Sequence, residues 1–382
     1  MENNNSTQIV TFSGNFINYL KNKEIMNELK KLIVIEQQCC CGHDDYDVEH
    51  DDPDDEHHNC NSEKIINTLV KLCETDGKIT PRNTVEKLES LLMDSELSPN
   101  SCFFSRYISC LACSCRDHNN DIDESYIQTA VDKLRIIMEN MEDSDNEFFI
   151  ENYIFCLSEL SKKQEPVKAK KTIDEIKTIS DETNAWENTE NINRYCLALM
   201  YLCGKQSDAL DLQGLYETTE TLENIVNNYG DTDDLSMFIC YSHALQRLCA
   251  NSNVSVSETY NFTQRLENLV EHTQQMDNNS IVVSYMLGLA ELISKQREQS
   301  LCCKKTFERA RSIVENARYK SNDMIVACYA QNLINQIDES DIDNVKFTVN
   351  KLSELAKRPH LKENDYFNEH YNRIKQLHLN SI

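Results

Sequence analysis

Proline and glycine are scarce in this chain, 5 and 7 residues of 382, so long stretches lack the residues that end helices and build tight turns. Seven glycines leave no place for a phosphate-cradling glycine loop, and neither an H-E-x-x-H pair nor a nucleophile elbow occurs. Basic residues are outnumbered 38 to 64, which gives a net charge of −26. A field of that sign repels nucleic-acid phosphates and anionic headgroups, so a nucleic-acid partner is not expected. No apolar run approaches the roughly 18 residues of a membrane span, and residues 1–15 lack the basic-then-apolar pattern of a secretory signal. They read as a disordered N-terminus. Membrane insertion is not expected, and a cytoplasmic location is.

Cysteine, in contrast, is abundant at 17 residues. Most of these cysteines stand at apolar helical positions, where a free thiol behaves as a small hydrophobe. The expectation is reduced thiols in a reducing cytosol, with no disulfide framework.

What fills the sequence is a period. Tyr107, Tyr153, Tyr195, Tyr241, Tyr285, Tyr329 and Tyr371 follow one another at intervals of 46, 42, 46, 44, 44 and 42. Leucine stands four residues after the first six, from Leu111 to Leu333, and again at plus seven in four of them. The spacing 0, +4, +7 is one face of a helix. The position at plus three is small in the first five units: Cys110, Cys156, Ala198, Ala244 and Gly288. Seven residues before each tyrosine stand Asn100, Asn146, Asn188, Asp234, Asn278, Asn322 and Asn364, all strong helix-capping types. A second helix precedes each tyrosine helix, marked at minus nineteen by Leu88, Leu134, Ile176, Leu222, Leu266, Ala310 and Leu352.

The expected fold is therefore all-α, a right-handed α-α superhelical solenoid of antiparallel helix pairs with units of about 44 residues. Residues 84–382 hold seven units, the last a polar cap. Residues 16–83 form a divergent first unit, interrupted by an acidic Cys/His-rich insertion at 39–61. The element YMLGLAELISKQ (285–296) followed by KTFERARSIVEN (305–316) resembles a lengthened tetratricopeptide-type unit. That resemblance covers roughly residues 84–382. The period exceeds the family's 34, the W-x-x-L-G-x-x-Y signature is absent and no proline closes the unit. HEAT-like units have a similar length. Both families mainly bind other proteins along a concave face, so the resemblance implies a non-enzymatic interaction scaffold or adaptor with no cofactor.

If the tyrosine helices face inward, positions −1 and +2 flank their buried stripe and point into the concavity. The groove set is then Arg106, Asn152, Phe155, Arg194, Leu197, His243, Leu287 and Gln331, with Ser109, Cys240, Ser284 and Cys328 beside them. It contains two arginines and no acid, which suits a protein or peptide bearing an acidic group. The alternative is that these positions pack against the neighbouring unit.

The insertion supports a second functional reading, a metal- or redox-responsive protein. Cys39, Cys40, Cys41, His43, His57, His58 and Cys60 offer soft ligands among nine carboxylates. They lack the paired C-x-x-C spacing of a structural zinc site, so weak binding of a divalent transition metal is expected, or no more than a polar loop of biased composition. The stretch from Asp117 to Ser125 carries oxygen ligands at alternate positions, as a calcium loop does, but Ile122 stands where the turn glycine belongs and Gln128 where the chelating glutamate does. An ordinary interhelix loop is the expectation there.

Overall fold

The computed structural model describes residues 85, 86, 89, 101–115, 122–139, 147–230, 234–337, 342–363 and 365–380. The expected N-terminal tail and the whole of the divergent first unit at 16–83, with its insertion at 39–61, lie outside the described residues. Among the described residues the chain is all-helical, with no strand. The thirteen α-helices are α1 Ser101–Ser114, α2 Glu124–Glu139, α3 Glu147–Lys163, α4 Pro166–Glu182, α5 Thr189–Asp208, α6 Leu212–Tyr229, α7 Ser236–Ala250, α8 Val256–His272, α9 Asn279–Glu298, α10 Lys304–Glu315, α11 Asp323–Asn335, α12 Ile342–Leu355 and α13 Asp365–Asn380. Short 3-10 turns at Ala185–Glu187 and Pro359–Glu363 precede α5 and α13. The seven tyrosines fall one to each odd-numbered helix, and six of the minus-nineteen positions, Leu134 to Leu352, fall on the even ones, Leu88 lying outside the described residues.

Helix starts follow the side chains available there. Asn188 accepts from the Glu190 amide at 2.8 Å, Asp234 from Ser236 at 2.8 Å, and Asn322 from Met324 and Ile325, each at 3.1 Å. Each satisfies amides that the first turn leaves open. Asn278 departs from the expected role. Its side chain makes no cap bond and is buried, donating to Val270 O (3.2 Å) and Thr273 Oγ1 (3.0 Å) and accepting from the Tyr319 hydroxyl (3.0 Å). Helix ends are less favourable. With no glycine available, Leu210 and Ser300 take the left-handed conformation after α5 and α9, at φ 58° and 57°. In both, the next amide reaches back five residues to a carbonyl, Asp211 to Gln206 and Leu301 to Gln296, which is the Schellman closure.

The chain divides into two compact units, residues 1–195 and 196–382, with the division inside α5. In the first, α3 packs against α1, α2 and α4. Tyr107, Leu111, Ile127, Leu134, Tyr153, Leu157 and Ile176 form its core, each 1% exposed or less. In the second, α9 packs against α7, α8, α10 and α11, and α11 continues to α13. Its core repeats the same positions, with Leu222, Leu245, Leu266, Leu289, Ala310 and Leu333 at 0% exposure. Gly288 lies where α9 meets α8: an added Cβ would stand 3.0 Å from Leu266 Cδ1 and 3.4 Å from Thr263 Cγ2.

Candidate functional site

An odd-numbered helix has three faces with different fates. The first points the tyrosine at the even helices, and in four of the seven it lies beside an acid–base pair. In the first unit Tyr107 donates to Glu89 (3.1 Å), which Lys133 also contacts at 2.5 Å. Tyr153 donates to Glu175 (2.6 Å), which receives Arg135 at 3.1 Å. In the second unit the Tyr241 ring lies 5.4 Å from the Arg265 guanidinium, itself paired with Glu223. Tyr285 lies beside Glu267, which pairs with Arg309 at 3.7 Å. Burial and the neighbouring carboxylate push all four tyrosine hydroxyls above their ordinary range. The partners stand eighteen residues before the tyrosine and twenty before the next one, and they carry opposite charges. That signal was present in the sequence, but it is invisible until the even helices are known to touch one another's neighbours.

The second face meets the adjacent odd helix. Ser242 Oγ donates to Ser284 Oγ (3.2 Å), and Asn332 Nδ2 donates to Met286 O (3.0 Å) and Cys328 O (2.9 Å). Asn335 Nδ2 donates to Ala290 O (2.8 Å). Apart from the Cys328 bond within α11, these join residues 42 to 46 apart in sequence, close to the period of the tyrosines.

The third face is open. In α7, α9 and α11 the positions −1, 0, +1, +3 and +4 about the tyrosine are all buried, whereas +2 is half-buried every time, as His243, Leu287 and Gln331. Leu197, at +2 on α5, is also half-buried, and Tyr201 and Arg247, at +6, are exposed. The His243 imidazole is held below its ordinary range, first by burial and then by Arg247. Gln331 Nε2 donates to Asn335 Oδ1 at 2.6 Å.

The first unit treats its groove residues differently. Arg106 lies on α1, and its side chain is outside the described set. Phe155 is 9% exposed and lies 4.7 Å beneath the Arg194 guanidinium, which also pairs with Glu190 at 2.5 Å. Asn152 Nδ2 donates back to Phe148 O (2.7 Å). The structure thus brings Phe155 and Arg194 together and gives the arginine two partners of its own. Cys240, Ser284 and Cys328, the −1 positions of the second unit, are buried.

At the far end of the open face lies a pocket of about 190 Å³ between α9 and the link from α7 to α8. Its lining includes Val254, Val256, Glu291, Ser294, Lys295 and Glu298. Lys295 spends its three N–H bonds on Asn251 O (2.7 Å), Val254 O (2.9 Å) and Thr259 Oγ1 (3.1 Å), so it ties down the link instead of facing outward. Glu291 is half-buried, and it forms no hydrogen bond or ion pair among the described residues. Burial raises its carboxyl above the usual range, Lys295 opposing that and Glu298 adding to it.

The seven metal-ligand candidates from Cys39 to Cys60 lie outside the described residues. Among those described, no group of three or more His, Cys, Asp or Glu is placed to hold a metal. Of the calcium-like loop, Asp123 is used as a helix cap, accepting from Ser125 Oγ and the Tyr126 amide at 2.8 Å each. The cysteines at plus eight, Cys115, Cys203 and Cys249, are buried, and burial pushes the last two thiols up to about 12. No described helix is long and apolar enough to cross a membrane. No protein-family model matches the chain, and no curated protein matches it.

Proposed function

We propose that the chain is a non-enzymatic interaction scaffold that holds a protein or peptide on the open face of its tyrosine helices. In this reading the helix pairs are tetratricopeptide-like units of a right-handed solenoid, and the open face is its concave side. The carrying observation is the half-buried +2 position on three successive packed helices, flanked on both sides by buried positions. Repetition of one open position at the period of the fold gives a row, and a row is what an extended or helical ligand requires. His243, Leu287 and Gln331 supply it with mixed apolar and polar contacts, of the kind from which interface anchors are drawn. The acidic partner expected from Arg106 and Arg194 loses force, because Arg194 already has Glu190 and Phe155. Free cysteines, eleven of them among the described residues, support action in a reducing cytosol.

A photo-crosslinking residue at position 287, compared with one at exposed Asn268 on α8, tests the assignment in native extract. Adducts from 287 and none from 268 are expected, and they should persist when residues 39–61 are deleted. Adducts from 268 alone place the partner elsewhere. Adducts lost with the insertion transfer the function to the Cys/His-rich segment.

A further inference from the structure

We propose that the pocket between α9 and the α7–α8 link receives a basic side chain, lysine or arginine, of the partner that lies along the open face. This rests on the scaffold reading above and gives the partner its chemistry.

The pocket belongs to the same face as the +2 row. Glu291 is at +6 on α9, one turn beyond Leu287, and Ser294 is at +9. Its size, about 190 Å³, fits one side chain and is too small for a folded element. The charges in it are unequal in availability. The ammonium of Lys295 is saturated by two carbonyls and a hydroxyl, so its donors are not offered to a ligand. Glu298, exposed at the rim, takes only a long 3.5 Å bond from Ser294. Glu291, deeper, takes none among the described residues.

A half-buried carboxylate without a donor is costly to keep, and burial of a charge is tolerated where a counter-charge completes it. Val254 and Val256 provide apolar wall for the methylene stem that precedes a guanidinium or ammonium. The whole chain, at −26, draws cations toward the site over long range.

Valine-methyl NMR on the full chain reads the site directly, because Val254 and Val256 line it. The probes are N-acetyl-arginine methylamide, N-acetyl-lysine methylamide, the neutral N-acetyl-citrulline methylamide, and putrescine. The arginine or lysine probe should shift both valine methyls saturably, and the citrulline probe should not. Glu291→Gln should weaken that response about ten-fold, the loss of one charge-assisted hydrogen bond, with unchanged melting or a higher midpoint showing that the fold is intact. An equal response to citrulline, or full retention in Glu291→Gln, overturns the proposal. A response confined to putrescine assigns the pocket to free polyamines and also overturns it. Photo-adducts from position 287 without any methyl response would leave the scaffold standing and remove only the pocket. Methyl shifts without adducts would do the reverse.

Discussion

Asn278 shows how one residue can keep its place and change its work. The sequence puts a capping asparagine before α9; the structure buries it at 1% exposure between Val270, Thr273 and Tyr319. Loss of its amide leaves buried groups unpaired, a deficit of about 1–3 kcal/mol. Asn278→Ala should therefore cost about 2 kcal/mol, more than the roughly 1 kcal/mol typical of a cap. Urea unfolding of Asn278→Ala, Tyr319→Phe and the double variant should show strong non-additivity, since the two share a bond. Additive effects would mean that the shared bond contributes nothing. Leu210 and Ser300 carry the opposite defect. Each holds a left-handed φ that side chains with a Cβ adopt at a cost of about 1–2 kcal/mol. Leu210→Gly and Ser300→Gly should each raise stability by about 0.5–1 kcal/mol, the gain reduced by the extra freedom of glycine in the unfolded chain. No gain at either site would show that the turn is not strained.

Among elements, the even helices are held by charge as well as by apolar stripes, and the depth of each pair sets its worth. Glu89 and Lys133 have side chains 2% and 6% exposed, whereas Arg309 and Glu267 are 35% and 29% exposed. Lys133→Met leaves a buried carboxylate with the Tyr107 hydroxyl but without this counter-charge and should cost about 3–5 kcal/mol, with much of it recovered in Glu89→Leu/Lys133→Met. Arg309→Met should cost less than about 1 kcal/mol. Chemical denaturation of the three variants orders them, and equal costs would refute the role of burial. At the start of α8, Ser255 and Glu258 form a capping box, and the Tyr216 hydroxyl adds a third bond at 3.0 Å. Hydrogen bonds from Ser255, first from its side chain and then from its backbone, with Tyr216 after them, hold the Glu258 carboxyl below its ordinary range. A carboxyl depressed in the folded state stabilises above its unfolded pKa, near 4.3, and that contribution is lost as pH falls through the folded value. Glu258→Gln should therefore be less stable than wild type above about pH 5 and converge with it in acid. A constant difference across the acid range would exclude the linkage.

At the scale of the molecule, the period of about 44 residues recurs within each compact unit as the sequence separation of contacts. Lys168 reaches Glu124 across 44 residues, Lys295 reaches Asn251 across 44 and Tyr319 reaches Asn278 across 41. The eleven cysteines whose side chains are described are all free, and even Cys115 and Cys156, whose sulfurs are 3.8 Å apart, meet as thiols. Thermal melting with and without a reductant should give the same midpoint. A midpoint that drops on reduction would reveal a disulfide that the fold requires.

The sequence alone determined the helices, their alternation and the core. Side chains repeated at 0, +4 and +7 share one apolar face, and so the first six tyrosines and the leucines at plus four and plus seven are buried where the pattern puts them, while Tyr371 and Cys110 stay half-buried. It also marked −1 and +2 as the edges of that face. Which edge stays open depended on how closely successive tyrosine helices approach. Ser242 on Ser284 closes the −1 side, and His243, Leu287 and Gln331 remain half-buried on the other. The charge clamps around the tyrosines and the pocket at Glu291 were equally beyond linear pattern. Their members come from helices that meet only after folding, and the opposite charges at −18 and −20 stand in the sequence without showing that they pair until packing brings them together.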